Sequence, residues 1–177
     1  LGTRERRCPD AAFYEMMDEF MTAASRRFPR AVIQFEDFSN NHCFDVLERY
    51  RGQYRCFNDD IQGTGAVIAA GFLNAVRLSG IAPQDHRILV FGAGSAATGV
   101  VDAICAVMAV KYGLAHDVVM RTVYLVDTKG LVTTTRPGEA LAKHKRHLAR
   151  TDVSEADNAH YHTLEATVRR VKPTALI

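Results

Sequence analysis

The sequence predicts an α/β fold, part of a doubly wound parallel sheet, and three observations carry that reading. Residues 87–91, Arg-Ile-Leu-Val-Phe, are a continuous apolar run bounded by Gly92, the pattern of a parallel strand buried on both faces. Strand-like and helical segments alternate from there to the C-terminus. A glycine-rich turn lies between the first of those strands and its helix. With 177 residues, 47% hydrophobic and 24% charged, the chain has a globular composition and suffices for one domain or parts of two.

Asp10 is a fair N-cap for the first helix. Phe13, Met16, Met17, Phe20, Ala24 and Phe28 follow at helical spacing, a stripe expected to be core, and Pro29 closes the helix. Residues 31–35, Ala-Val-Ile-Gln-Phe, form a short buried strand that runs into Glu36-Asp37. Residues 41–50 can form a helix with a basic exit at Arg49, Arg51 and Arg55. Residues 64–78 are apolar on most faces and read as a buried helix, ended before Pro83. After the 87–91 strand come a helix over 96–112 and a strand over 121–126 that ends in Asp127. Residues 137–150 and 162–171 read as helices, and 174–177 would begin a third strand. Residues 132–138 are the most loop-like stretch, and no internal repeat is visible.

Charge and cysteine content narrow the partners. Twenty-two Lys plus Arg against 20 Asp plus Glu gives +2, so no nucleic-acid partner is expected. No apolar run approaches the ~20 residues of a membrane span. Residues 61–73 come closest but are interrupted by Gln62, Thr64 and glycines, so no membrane partner is expected either. Cys8, Cys43, Cys56 and Cys105 show no C-x-x-C pair and no zinc spacing, which points to reduced thiols in an intracellular protein. The chain starts at Leu1, residues 1–7 are basic without a signal-peptide apolar stretch, and 173–177 read as a strand cut mid-run. A fragment of a longer protein is the expectation.

The turn Gly92-Ala93-Gly94-Ser95-Ala96-Ala97 matches the dinucleotide fingerprint G-x-G-x-x-A. Gly92 would permit the tight turn, Gly94 would let backbone amides approach a pyrophosphate, and Ala97 would let helix pack close to strand. Phosphates would then face the positive end of the helix dipole. The bland alternative is a glycine-rich turn used only for packing. Asp127 lies further on than the usual ~20 residues for the ribose-binding acid, and residues 113–120 can absorb the extra length.

Two pairs of adjacent acids stand out, Glu36-Asp37 and Asp59-Asp60. Like charges side by side are costly unless a cation or a partner answers them. Several carboxylates around open water positions suit Mg²⁺ or Mn²⁺; caps or solvated turns are the alternative. The run His144-Lys145-Arg146-His147 is either a solvated face or a phosphate contact.

Three blocks resemble malic enzyme in order and spacing: Ile33-Gln-Phe-Glu-Asp-Phe38, Tyr54-Arg-Cys-Phe-Asn-Asp-Asp-Ile-Gln-Gly-Thr64 and Ile88-Leu-Val-Phe-Gly-Ala-Gly94. The resemblance implies oxidative decarboxylation of L-malate to pyruvate and CO₂, with NAD or NADP and Mg²⁺ or Mn²⁺. It implies metal ligands at Glu36, Asp37 and Asp60, with Asp59 as a catalytic proton-handling group or a support behind them. It places the cofactor loop at Gly92, Ala93, Gly94 and Ser95; many relatives carry an acid where Ser95 stands. It implies that residues 1–58 end a substrate and metal domain and that 59–177 begin a Rossmann-type NAD(P)-binding domain. The full-length protein would be a homo-oligomer, in cytosol or mitochondrion. The family's tyrosine acid and lysine base lie upstream of these motifs and its substrate asparagines beyond Ile177. Tyr14, Tyr50 and Lys111 lack the matching flanks, so this chain alone is expected not to oxidise malate. The alternatives are another metal-dependent decarboxylating 2-hydroxyacid dehydrogenase and a non-catalytic nucleotide-binding module.

Cofactor choice turns on Asp127-Thr128-Lys129-Gly130. An acid there accepts from a free ribose 2′-hydroxyl and favours NAD. A 2′-phosphate adds about −1.5 to −2 charge and needs a cation nearby. Lys129 can supply one, NADP-using relatives resemble this chain in having a lysine there, and the 143–147 run can fold back to the same place. The reading favours NADP and leaves dual use open.

Overall fold

A computed structural model describes residues 4, 6–136 and 141–177. The start of the expected 137–150 helix, the end of the 132–138 loop and most of the basic 1–7 segment lie outside them.

Helix α1 (Asp10–Arg27) buries Met17 and Met21, with Phe13 and Tyr14 packed alongside. The expected stripe is only partly inward: Met16, Phe20 and Phe28 are each more than half exposed. Pro9, not Asp10, occupies the N-cap position; the Asp10 carboxylate instead accepts from His42 Nε2 at 3.0 Å. Strand β1 (Ile33–Phe35) is shorter than expected, and helix α2 (Cys43–Tyr50) turns Cys43, Val46, Leu47 and Tyr50 inward, one helical face. Strand β2 (Cys56–Asn58), which periodicity did not reveal in three residues, pairs parallel with β1.

Helix α3 (Thr64–Ser79) follows a wide helical turn over Asp59–Gly63. It buries Gly65, Ala69, Phe72 and Val76, but Val67 and Leu78 are 73% and 79% exposed, so the expectation of burial on most faces is corrected. One side packs on helix α4 (Ser95–Tyr112) and the other faces outward. The backbones nearly touch there: a Cβ on Gly65 would lie 2.5 Å from the Gly99 carbonyl oxygen, and one on Gly99 would overlap the Ile61 carbonyl. By length and composition Asp59–Ser79 and Ser95–Tyr112 could each cross a membrane, where the sequence reading expected no such stretch. Glycines that break an apolar run on paper continue it in a helix.

Strand β3 (Ile88–Phe91) precedes α4; helix α5 (His116–Thr122) leads into strand β4 (Val123–Asp127) and the two-residue β5 (Gly130–Leu131). Arg121 and Thr122, expected in the strand, finish α5 instead. Helix α6 (Glu155–Asn158) and helix α7 (Leu164–Val171, capped by Thr163) precede strand β6 (Ala175–Leu176). The sheet order is β5-β4-β3-β6, with β4, β3 and β6 parallel and β5 antiparallel at the edge.

Strand β3 alternates between two cores. Ile88 and Val90 pack with Val101, Ile104 and Met108 of α4, whereas Leu89 packs with Val126, Leu131, Leu164 and Val168 on the other face. Helices therefore cover both sides of a parallel sheet, as the apolar run requires. Successive strands leave β3 in opposite directions, so its C-terminal end is the topological switch point where such sheets bind ligands.

The expected 137–150 helix is, among the described residues, a short 3₁₀ helix over Lys143–Leu148. Of its side chains only Leu148 is buried, so no apolar stripe supports an α-helix. Most of its polar side chains bind other elements instead. Arg150 is buried just beyond it, donating to the Arg121 and Val123 carbonyls and to Asp152, with its guanidinium 4.0 Å from the Tyr124 ring centre.

Candidate active site

The parallel register of β1 and β2 decides where the acids meet. Phe35 pairs with Asn58 at the C-terminal end of both strands, and each strand is followed immediately by two acids. Glu36-Asp37 and Asp59-Asp60 therefore leave the sheet side by side. Asp37 turns the chain at φ 57°, a left-handed conformation that Asp tolerates better than most residues. Its N–H donates to Asp60 Oδ2 at 2.8 Å, and Gln34 Nε2 donates to Glu36 Oε2 at 2.8 Å. One carboxylate oxygen from each of Glu36, Asp37 and Asp60 lies within 4.8 Å of the others. Glu36 and Asp37 are exposed and Asp60 half-buried. This is a cluster of hard oxygen donors open on one side, which suits a small divalent cation that keeps positions for water or substrate.

Asp59 faces elsewhere. Its carboxylate sits against Gly63, where any side chain would overlap it, and it lines a groove of about 310 Å³ with Thr64, Val67 and Ile68. Neighbours in a helical turn diverge by roughly 100°, so adjacent acids need not share a site. Asn58, fully buried, organises the turn: its Oδ1 accepts from Ile61 N–H at 2.9 Å and its N–H donates to Gln62 Oε1 at 3.0 Å.

The glycine-rich turn stands at the tip of β3. Gly92 has φ 137°, a conformation that side chains rarely adopt, and a Cβ there would lie 3.8 Å from Ala97 Cβ. Gly94 opens α4 without a side chain to cap it. Asn40, three residues after Asp37, supplies the cap: its Oδ1 accepts from Ser95 N–H at 2.9 Å. Ala93 is buried within this turn.

Asp127 ends β4 beside that turn. Its side chain is 9% exposed and is held by Arg136 Nη1 at 2.7 Å and Lys145 Nζ at 2.8 Å. Lys129 contributes its backbone N–H to the same carboxylate at 2.9 Å. Burial pushes the Asp127 pKa up, but the hydrogen bonds from Arg136, Lys145 and Lys129 N–H outweigh it and hold the group down at about 2. The carboxylate is thus ionised and already claimed. The 143–147 run does fold back here, through Lys145; Arg136 is a partner that no spacing in the sequence signals.

Three of the other side chains of that run reach other elements. Lys143 pairs with Asp45 of α2 at 3.1 Å, and His147 with Asp102 of α4 at 3.1 Å. His144 stacks on Phe44 of α2 with ring centres 4.6 Å apart, and its Nε2 lies 3.2 Å from the Ala93 carbonyl oxygen. A cleft of about 970 Å³ lies between α2, α3, α4 and this run, lined by Phe44, Ile61, Ala69, Gly99, Asp102 and His144 among others. Neither the acid cluster nor the Gly92–Ser95 turn lines it.

The family model described as the malic enzyme NAD-binding domain matches residues 61–177, and that of the malic enzyme N-terminal domain matches residues 1–51. The chain is 45% identical over its whole length to the NADP-dependent malic enzyme of Dictyostelium discoideum, covering 31% of that protein. It is 39% identical to the mitochondrial NAD-dependent malic enzyme of Solanum tuberosum, covering 29% of it. The crystal structure of the Entamoeba histolytica malic enzyme superposes with a TM-score of 0.66 at 25% identity, over 90% of this chain and 31% of that one. The chain thus spans about a third of the length of the curated relatives it matches. Two successive family models account for nearly every residue, in the order in which the acid-bearing strands and the nucleotide-type sheet follow one another, and the chain belongs to the malic enzyme family.

Proposed function

We propose that the intact protein oxidatively decarboxylates L-malate to pyruvate and CO₂ with reduction of NADP, dependent on Mg²⁺ or Mn²⁺. The observation that carries this reading is the convergence of Glu36, Asp37 and Asp60 beside a turn suited to a dinucleotide. Ile61, next to Asp60, packs directly on Gly99 of α4, so acids and turn belong to one rigid assembly. Residues 1–58 would close the substrate and metal domain and 59–177 open the nucleotide domain.

Glu36, Asp37 and Asp60 would hold the cation, and Gly92, Ala93, Gly94 and Ser95 the pyrophosphate. Bound there, the cation supplies Lewis acidity and the nicotinamide a hydride acceptor. Asp59, turned away from the other acids, would hold or pass a proton at its carboxylate. The Asp37 N–H bond to Asp60 sets the spacing of the cluster before any ion arrives. The test is malate-dependent NADPH formation by the intact protein with Mn²⁺, with pyruvate in equal amount. Nucleotide and Mn²⁺ binding without turnover would refute it.

NADP is favoured over NAD because Asp127 is not a free acceptor. A ribose 2′-hydroxyl would have to displace a cation from it, whereas a 2′-phosphate can share Arg136 and Lys145, both within 3.1 Å of the carboxylate. Lys145→Ala is expected to lower kcat/KM for NADP about 10- to 100-fold, the range of a lost hydrogen bond to a charged group. NAD use should hold or rise, since Lys145 is one of the cations that a ribose hydroxyl must displace, and Lys129→Ala should do less than Lys145→Ala. Steady-state kinetics with both cofactors check this. A wild type that prefers NAD, with both variants neutral toward NADP, would leave the acid as the specificity element.

A further inference from the structure

We infer that His144 is a positioning residue for the cofactor, aiming the Gly94 amide through a bond to the Ala93 carbonyl. The inference rests on the proposed dinucleotide role of the turn. The Ala93–Gly94 peptide bond is trans, so the Ala93 carbonyl and the Gly94 N–H point in opposite directions within one plane. Glycine on each side of Ala93 leaves that plane free to rotate. The contact that fixes it comes from His144, whose Nε2 lies 3.2 Å from the carbonyl oxygen. A carbonyl only accepts, so Nε2 carries the hydrogen. With the carbonyl held toward His144, the Gly94 N–H is directed away from it, at the start of α4.

The imidazole is itself held. It stacks on Phe44 with an interplanar angle of 9°, and its neighbours Lys143 and Lys145 are tied to Asp45 and Asp127. Burial, opposed by the Ala93 bond and aided by the charges of Lys145 and His147, pulls its pKa below the usual histidine value. A neutral ring with its hydrogen on Nε2 is the donor this geometry calls for. One short turn thus serves two parts of a dinucleotide: Lys145 faces the ribose acid, and His144 the turn that meets the pyrophosphate.

That division makes the roles separable. The pyrophosphate is common to NAD and NADP, so loss of the His144 bond should weaken both equally. The experiment measures Kd for NADPH and NADH by fluorescence titration of the intact protein, in wild type, His144→Phe and His144→Gln. Phe keeps a ring to stack on Phe44 and removes the donor; Gln restores an N–H donor without the ring. His144→Phe is expected to raise both Kd values by the same factor, about three- to tenfold for one hydrogen bond, at an unchanged thermal midpoint. His144→Gln should recover part of the loss. Wild-type affinity in His144→Phe, a loss confined to NADPH, or a Gln variant no better than Phe would each overturn the role of His144. If the wild type binds neither nucleotide, the dinucleotide reading is refuted first and the role of His144 falls with it.

Discussion

Asp60→Asn is expected to abolish productive metal binding while leaving the fold and the nucleotide site intact. The substitution removes a charge from the acid cluster but keeps an oxygen that can accept the Asp37 N–H, now bound at 2.8 Å. The turn geometry should therefore survive, and the lost affinity reports the missing charge. Loss of a group that only supports a metal ligand costs roughly 10- to 100-fold in affinity. Removal of a ligand charge should reach at least the upper end of that range. Isothermal titration with Mn²⁺ reads it directly, and NADP affinity should stay within about twofold, an allowance smaller than one ordinary hydrogen bond. Asp59→Asn is the internal contrast. Its carboxylate faces the Gly63 groove, away from the triad, so turnover should fall more than Mn²⁺ affinity. Unchanged Mn²⁺ binding in Asp60→Asn would show that the ligands are assigned to the wrong residues.

Gly99→Ala should be strongly destabilising, although alanine is ordinarily the better helix former. A Cβ at Gly99 would overlap the carbonyl of Ile61, and that partner is backbone that cannot rotate away. Overpacking of this kind costs about 3 kcal/mol, against the ~1 kcal/mol that Gly→Ala gains inside an open helix. Gly71 supplies the control, since nothing lies within 4 Å of its added Cβ. Gly71→Ala should be neutral or slightly stabilising. Urea midpoints of the two variants, compared at equal m-value, decide the matter. The effect should also reach the chemistry. Ile61 follows Asp60, and Gly99 lies in α4 just after the Gly92–Ser95 turn, so pushing them apart separates the acid cluster from that turn. A Gly99→Ala protein as stable as wild type would mean that α4 and the Asp59–Gly63 turn are not held in contact there.

What could be read without coordinates was local. The apolar run over residues 88–91, the glycines at 92 and 94 and the small residue at 97 each act on their immediate neighbours, so their order along the chain already states the strand, the turn and the close helix packing. The residue motifs that resemble malic enzyme likewise name Glu36, Asp37, Asp59 and Asp60 together, but leave their mutual geometry open. Tertiary structure alone decided that geometry. The register of β1 on β2, fixed by a pair of three-residue strands too short to show periodicity, brings Glu36 and Asp37 beside Asp60, and the helical turn sends Asp59 the other way. The same holds for Asp127, whose carboxylate is claimed by Arg136 and Lys145, and for His144, which meets Ala93 from 51 residues away. These residues carry no apolar pattern. Their pairings arise because buried charge and a pivoting peptide must be satisfied by whatever the fold brings near, and chain order does not encode that proximity.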